Sequence, residues 1–143
     1  MTRNVLVPVD DSKRSLKALE FAIENVPDAS VTALHVIDPR SFSAKGIESG
    51  ITTDVAQLRE TRERAAETLI EKIRGRGEEL GSKIDTAIET GKPAREIVSY
   101  AEEHDVDQIV IGSHGRTGAS RVLLGSVAET VVRRSPVPVT VVR

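Results

Sequence analysis

The sequence contains no cysteine, and that absence removes disulfides, thiolate metal sites and cysteine nucleophiles together while fitting a reducing compartment. An excess of basic charge is also missing. Lys and Arg number 20 against 22 Asp and Glu, a net charge of -2, so no surplus positive charge is available to neutralise phosphates along a duplex or to seek an acidic membrane surface. Neither nucleic acid nor membrane is therefore an expected partner. No apolar stretch approaches the roughly 20 residues that a membrane helix requires. The short apolar run after Met1, Thr2, Arg3 and Asn4 stops at Asp10, too soon for a signal peptide. The expectation is a soluble, cytoplasmic protein.

Several chemical signatures are absent as well. There is no G-x-S-x-G elbow, and Gly112-Ser113-His114-Gly115 makes no triad, because adjacent residues do not by themselves reproduce its orientation. Neither the Gly-Lys-Ser/Thr of a P-loop nor a G-x-G-x-x-G dinucleotide fingerprint occurs, which argues against a strong NTPase and against NAD. His35, His104 and His114 lack a second histidine or carboxylate at familiar metal spacing, so no zinc site is expected. His35 reads as a packed strand residue. No internal repeat, low-complexity tract or domain boundary appears, and 143 residues read as one domain, 1–143. A chain of that length buries roughly 68–70% of its unfolded surface.

What is present alternates. Arg3 to Val9 and Ser30 to Ile37 are β-rich runs, and between them Ser12 caps a helix whose Leu16, Leu19, Ala22, Ile23 and Val26 share one face and which ends before Pro27. Asp38 to Thr53 shows no period and reads as a long loop able to close over a ligand. A long helix follows from Asp54, facing inward with Val55, Leu58, Ala65, Ala66, Leu69, Ile73 and Leu80, weakened by Gly75 and Gly77 and stopped by Gly81. A strand at Lys83 to Ile88 leads to a helix opened by Pro93, with Ala94, Ile97, Val98 and Ala101 inward. Asp107 to Ile111 is the fourth strand. Ser126 starts a fourth helix with Glu129 at capping-box spacing, and Val137 to Val142 is the fifth strand. Strands alternating with helices imply an α/β fold, an open parallel sheet covered on both faces.

The densest glycine cluster follows the fourth strand: Gly112, Gly115 and Gly118, then Gly125-Ser126 at a helix start. Glycine lets backbone N–H groups approach an anion closely, and a helix N-terminus adds unpaired donors and a positive dipole end. The chemistry suggested is phosphate cradling. Ligands of open parallel sheets bind where the winding reverses, outside the carboxyl ends of the strands. Strand one ends there at Pro8-Val9-Asp10, offering a carboxylate to a ribose hydroxyl or a metal ion if it lies beside strand four.

Gly112, two residues, Gly115, nine residues, then Gly125-Ser126 fits G-x2-G-x9-G-[S/T], and it is accompanied by Val7 to Asp10, Leu34 to Asp38 and Pro136 to Val142. On these four ordered blocks the chain resembles the ATP-binding universal stress proteins. The resemblance implies a Rossmann-like sheet of five strands ordered 3-2-1-4-5. It implies that Pro8, Val9 and Asp10 contact adenine and ribose, that Val36 lines the adenine pocket, and that Ile111, Gly112, Ser113, His114 and Gly115 contact ribose and phosphate. Gly125, Ser126, Val127 and Ala128 would hold the outer phosphates, and Arg116 is a further candidate phosphate contact. Ala128 is often Thr or Ser in the family, so one hydroxyl contact is expected to be missing. Asp10 read alone is equally a turn residue, and Ser126 reads as both cap and ligand.

The expected cofactor is ATP or another adenine nucleotide, with Mg, for which Asp10 is the candidate protein contact. Pro136 and Pro138 point to a sheet edge, and family members commonly pair this last strand with its symmetry mate, so the resemblance implies a homodimer through Val137 to Val142. The leading expectation is a non-enzymatic nucleotide-binding sensor or regulator in a stress response. The alternatives are a slow Mg-dependent ATPase or phosphotransferase, and a module preferring AMP or ADP.

Overall fold

Alternate residues of the first strand, β1 (Arg3–Pro8), enter two different cores. Val5 and Val7 pack with Leu19, Ala22 and Ile73, whereas Leu6 packs with Ile97, Ile109 and Val131. A strand apolar on both faces belongs inside a parallel sheet, and the computed structural model, which describes residues 2–40, 55–114 and 124–143, places it there. The remaining strands are β2 (Ala29–Ile37), β3 (Asp85–Thr90), β4 (Gln108–Gly112) and β5 (Val139–Val142). All pairings are parallel, in the order β3-β2-β1-β4-β5. Helices α1 (Lys13–Asn25) and α2 (Val55–Glu79) supply one core, and α3 (Pro93–Glu103) and α4 (Ser126–Arg134) the other. Val5, Leu6 and Val7 are at most 1% exposed, and each such burial contributes about 1.5–3 kcal/mol.

The caps of α1 follow expectation. The Ser12 hydroxyl accepts from the Ser15 N–H at 3.2 Å, and the helix stops at Val26, whose N–H still reaches the Ala22 carbonyl before Pro27. Strand boundaries shift by up to two residues from expectation. β3 runs to Thr90 rather than Ile88, and β4 to Gly112. β5 starts at Val139, so Pro136 and Pro138 precede the edge strand instead of lying in it.

The inward face of α2 is corrected more substantially. Val55 is 78% exposed and Ala65 is exposed, while the buried positions are Ala66, Ile70, Ile73 and Gly77. Gly77 is not simply a weak spot. A Cβ there would stand 3.1 Å from Ile84 Cγ1, so its missing side chain lets Ile84 close on the helix, whereas Gly75 meets nothing within 4 Å. Ion pairs from Arg76 to Glu20 at 2.7 Å and to Glu79 at 2.8 Å tie α2 to α1 and to its own last turn. The expected loop Asp38 to Thr53 lies, from residue 41 onward, outside the described residues. Among the described residues no helix is long and apolar enough to cross a membrane.

Candidate functional site

β1 and β4 are hydrogen-bonded neighbours, with Val5 opposite Gln108 and Leu6 opposite Ile109. From β1 the chain winds outward through β2 and β3, and from β4 through β5 on the other side. The carboxyl ends of β1 and β4 therefore open one crevice at the point where winding reverses, the place where a sheet of this kind leaves room for a ligand.

On the β1 side the turn is held by a series of hydrogen bonds. Val9 donates its N–H to the Leu34 carbonyl at 2.8 Å, and its own carbonyl is met by His35 Nδ1 at 2.9 Å. A carbonyl only accepts, so the proton lies on Nδ1. Asp10 donates its N–H to Ser15 Oγ at 2.8 Å, and Asp10 Oδ1 accepts from the Ser12 N–H at 2.8 Å. The carboxylate is thus aimed by its turn and half-buried. Asp10 plays the turn role read from the sequence, and this same turn sets the carboxylate at the strand end.

On the β4 side, Ile111 is 5% exposed and packs under α4's core, and Gly112 ends the strand against α1. Ser113 extends the ladder by donating its N–H to the Val142 carbonyl at 2.8 Å, and its carbonyl accepts the Gly125 N–H at 2.6 Å. That last bond ties the strand end directly to the start of α4. Ser113 Oγ lies 3.1 Å from His114 Nδ1, both residues are buried, and His114 Nε2 is buried without a hydrogen-bond partner.

The start of α4 differs from the expected capping box. Gly125 is the N-cap, at φ -68° and ψ 161°, and supplies no side-chain bond. Ser126 is the first helical residue, so its hydroxyl is out of register for capping. Glu129 instead reaches forward to Arg133 at 2.6 Å. The first intrahelical bond runs from the Glu129 N–H to the Gly125 carbonyl at 2.9 Å, and the N–H groups of Ser126, Val127 and Ala128 precede it without helical partners. Ala128 is 4% exposed and packs in the α3–α4 core, so what it offers a ligand is its N–H.

Pro8, Val9, Asp10, Ile111, Gly112, Ser113, His114, Gly125, Ser126, Val127 and Ala128 thus lie on the segments that meet at this crevice. Val36, two residues beyond the Leu34 that pairs with Pro8, borders the same apolar cluster as Val127. Gly115, Arg116 and Gly118 lie outside the described residues. Sequence reading missed Ser15, which holds the Asp10 backbone, and the role of His35, which pins Val9. The only signal for Ser15 was a second serine three residues after a cap. Among the described residues no group of three or more His, Cys, Asp or Glu is placed to hold a metal.

Comparison with known proteins gives a consistent kinship. The Universal stress protein family matches residues 1–143. Universal stress protein MJ0531 of Methanocaldococcus jannaschii is 38% identical over 143 residues, covering 99% of this chain and 82% of the relative. The solved structure of MJ0577, from the same organism, is 35% identical with a TM-score of 0.80, covering 99% of this chain and 96% of that one. In fold, the chain is also similar to the universal stress protein of Archaeoglobus fulgidus, solved in complex with dAMP, at 23% identity and a TM-score of 0.70, with 100% and 98% of the two chains covered. The five-stranded 3-2-1-4-5 sheet and the match along the whole chain lead to one statement: this chain belongs to the universal stress protein family.

Proposed function

We propose that the crevice between β1 and β4 binds an adenine nucleotide, ATP with Mg, and that the protein acts as a nucleotide-dependent sensor or regulator in a cytoplasmic stress response. The observation that carries this reading is the bond from the Gly125 N–H to the Ser113 carbonyl, which sets an uncapped helix start against the end of β4. Unpaired N–H donors at a helix N-terminus suit a phosphate. Asp10, at the end of the neighbouring strand β1, suits a ribose hydroxyl, and the dAMP complex of the Archaeoglobus fulgidus protein supports an adenine ligand for this fold. The reading is of binding rather than catalysis, since the crevice's carboxylate is engaged by its own turn. Phosphate release at equal background rates from wild type and Asp10→Ala would agree with it, and a rate lost in Asp10→Ala would make the protein an ATPase.

The same reading includes a homodimer. The two sheet edges differ: β3 carries Asp85 and Glu89, while β5 reads Val139, Thr140, Val141 and Val142 without a charge. An uncharged edge is the one suited to pair with a second copy. Light scattering at micromolar concentration is expected to give twice the chain mass. The nucleotide itself is tested by mass spectrometry of whatever the purified protein releases on denaturation, with Gly125→Trp alongside. Adenine nucleotide from the wild type and none from the variant is the expected result, and a wild type that is empty and ignores added ATP would overturn it.

A further inference from the structure

Gly112 ends β4, and the space its Cβ would need is taken by the main chain of Arg14. An added Cβ would meet the Arg14 carbonyl carbon and oxygen at 3.0 Å and its Cβ at 3.1 Å. The first turn of α1 is therefore seated on the residue from which the glycine loop departs. That turn is itself locked, by the Asp10 N–H on Ser15 Oγ and the Ser15 N–H on Ser12 Oγ. Arg14 is half-buried, yet its guanidinium enters none of the hydrogen bonds or ion pairs among the described residues. By contrast Arg64, Arg74, Arg76 and Arg133 each engage a carboxylate.

Two further groups without partners among the described residues adjoin the same strand end. One is the buried Nε2 of His114, two residues beyond Gly112, and the other is the set of N–H groups that opens α4, joined to Ser113 through Gly125. A half-buried cation with no ion pair among the described residues, carried by a turn seated on the strand end that leads to these donors, suits an anion carrying more than one charge. Arginine suits such a partner because its planar fork meets phosphate oxygens two at a time and stays charged.

We propose that Arg14 is a specificity-determining residue for the phosphate chain: its guanidinium neutralises charge beyond the first phosphate, so the crevice favours di- and triphosphates over a monophosphate. The proposal rests on the nucleotide-binding reading above and names which part of the ligand this chain selects. Calorimetric titration of the full chain with ATP, AMP and adenosine at low and at physiological salt tests it, using wild type, Arg14→Gln, Arg14→Lys and Lys17→Gln. Arg14→Gln is expected to lose about tenfold in ATP affinity at low salt, less than twofold for AMP and nothing for adenosine. Arg14→Lys is expected to recover part of the ATP affinity, and Lys17→Gln, on an exposed α1 position, to behave as wild type. An equal loss for ATP and AMP, or none for either, overturns the role of Arg14 while leaving nucleotide binding intact. A wild type that binds none of the three overturns the nucleotide reading itself, and Arg14's role with it.

Discussion

His35 donates its Nδ1 proton to the carbonyl of Val9 across 2.9 Å, so a side chain of β2 holds the main chain at the point where β1 enters the crevice. His35→Phe keeps the bulk and removes the donor, leaving a buried carbonyl unpaired. The expected cost is about 1–3 kcal/mol, read as a lower urea midpoint at unchanged slope. Nucleotide affinity is expected to fall with it, because Asp10 follows Val9 directly. His35→Gln, which restores an N–H, is expected to recover part of both. A His35→Phe variant with wild-type midpoint and affinity would mean that the Val9 carbonyl finds another partner at no cost.

Gly112→Ala is expected to destabilise by about 1–3 kcal/mol, since the atoms in the way are the Arg14 main chain, 3.0 Å off, and not the end of a flexible side chain. Relief requires moving the first turn of α1, so the variant is also expected to bind nucleotide more weakly. Thermal unfolding with and without ATP checks both parts. A variant as stable as wild type would show that α1 shifts freely.

The two helical glycines of α2 should behave differently from each other. Gly75 meets nothing within 4 Å, so Gly75→Ala is expected to stabilise by roughly 0.5–1 kcal/mol from helix propensity. At Gly77 the same gain is opposed by contact with Ile84 at 3.1–3.3 Å, and Gly77→Ala is expected to fall below Gly75→Ala in urea midpoint. Equal midpoints would mean that Ile84 gives way without cost.

How much of this was legible in the sequence differs between elements for physical reasons. β1, β2 and β4 are apolar runs bounded by Asp and Pro, and α1 has a cap, a clean face and a following Pro27, so local chemistry and tertiary packing agree. α2 was harder, because its outward first turns carry Val55 and Ala65 at apolar spacing and its close approach to Ile84 is marked only by a glycine. The strand order followed from resemblance, since pairing is non-local and leaves no mark in a single strand. At the site, the glycine cluster announced an anion, but the Ser126-to-Glu129 spacing suggested a capping box that does not form. The helix starts one residue earlier than that pattern needs, with Gly125 rather than Ser126 as its N-cap, and Glu129 pairs with Arg133. The bonds of His35 to Val9 and of Ser15 to Asp10 could not be read, because their partners lie across a strand or inside a turn.

The uncapped start of α4 allows a last test in which stability and binding move in opposite directions. Gly125 sits at φ -68° and ψ 161°, a conformation open to any residue, and contributes no side-chain acceptor. Gly125→Asp places a carboxylate where a helix favours one, and the gain over glycine at an N-cap is a few tenths of a kcal/mol. The same carboxylate occupies the donors that a phosphate would use and repels it. Gly125→Asp is therefore expected to melt at or slightly above the wild-type temperature without ligand while losing more than tenfold in ATP affinity, and Gly125→Ser to show a smaller loss because its acceptor is neutral. If Gly125→Asp bound ATP as well as wild type, the phosphate could not lie on the first turn of α4. If it melted well below wild type, the position would be closed to any side chain, and its binding loss would say nothing about the anion.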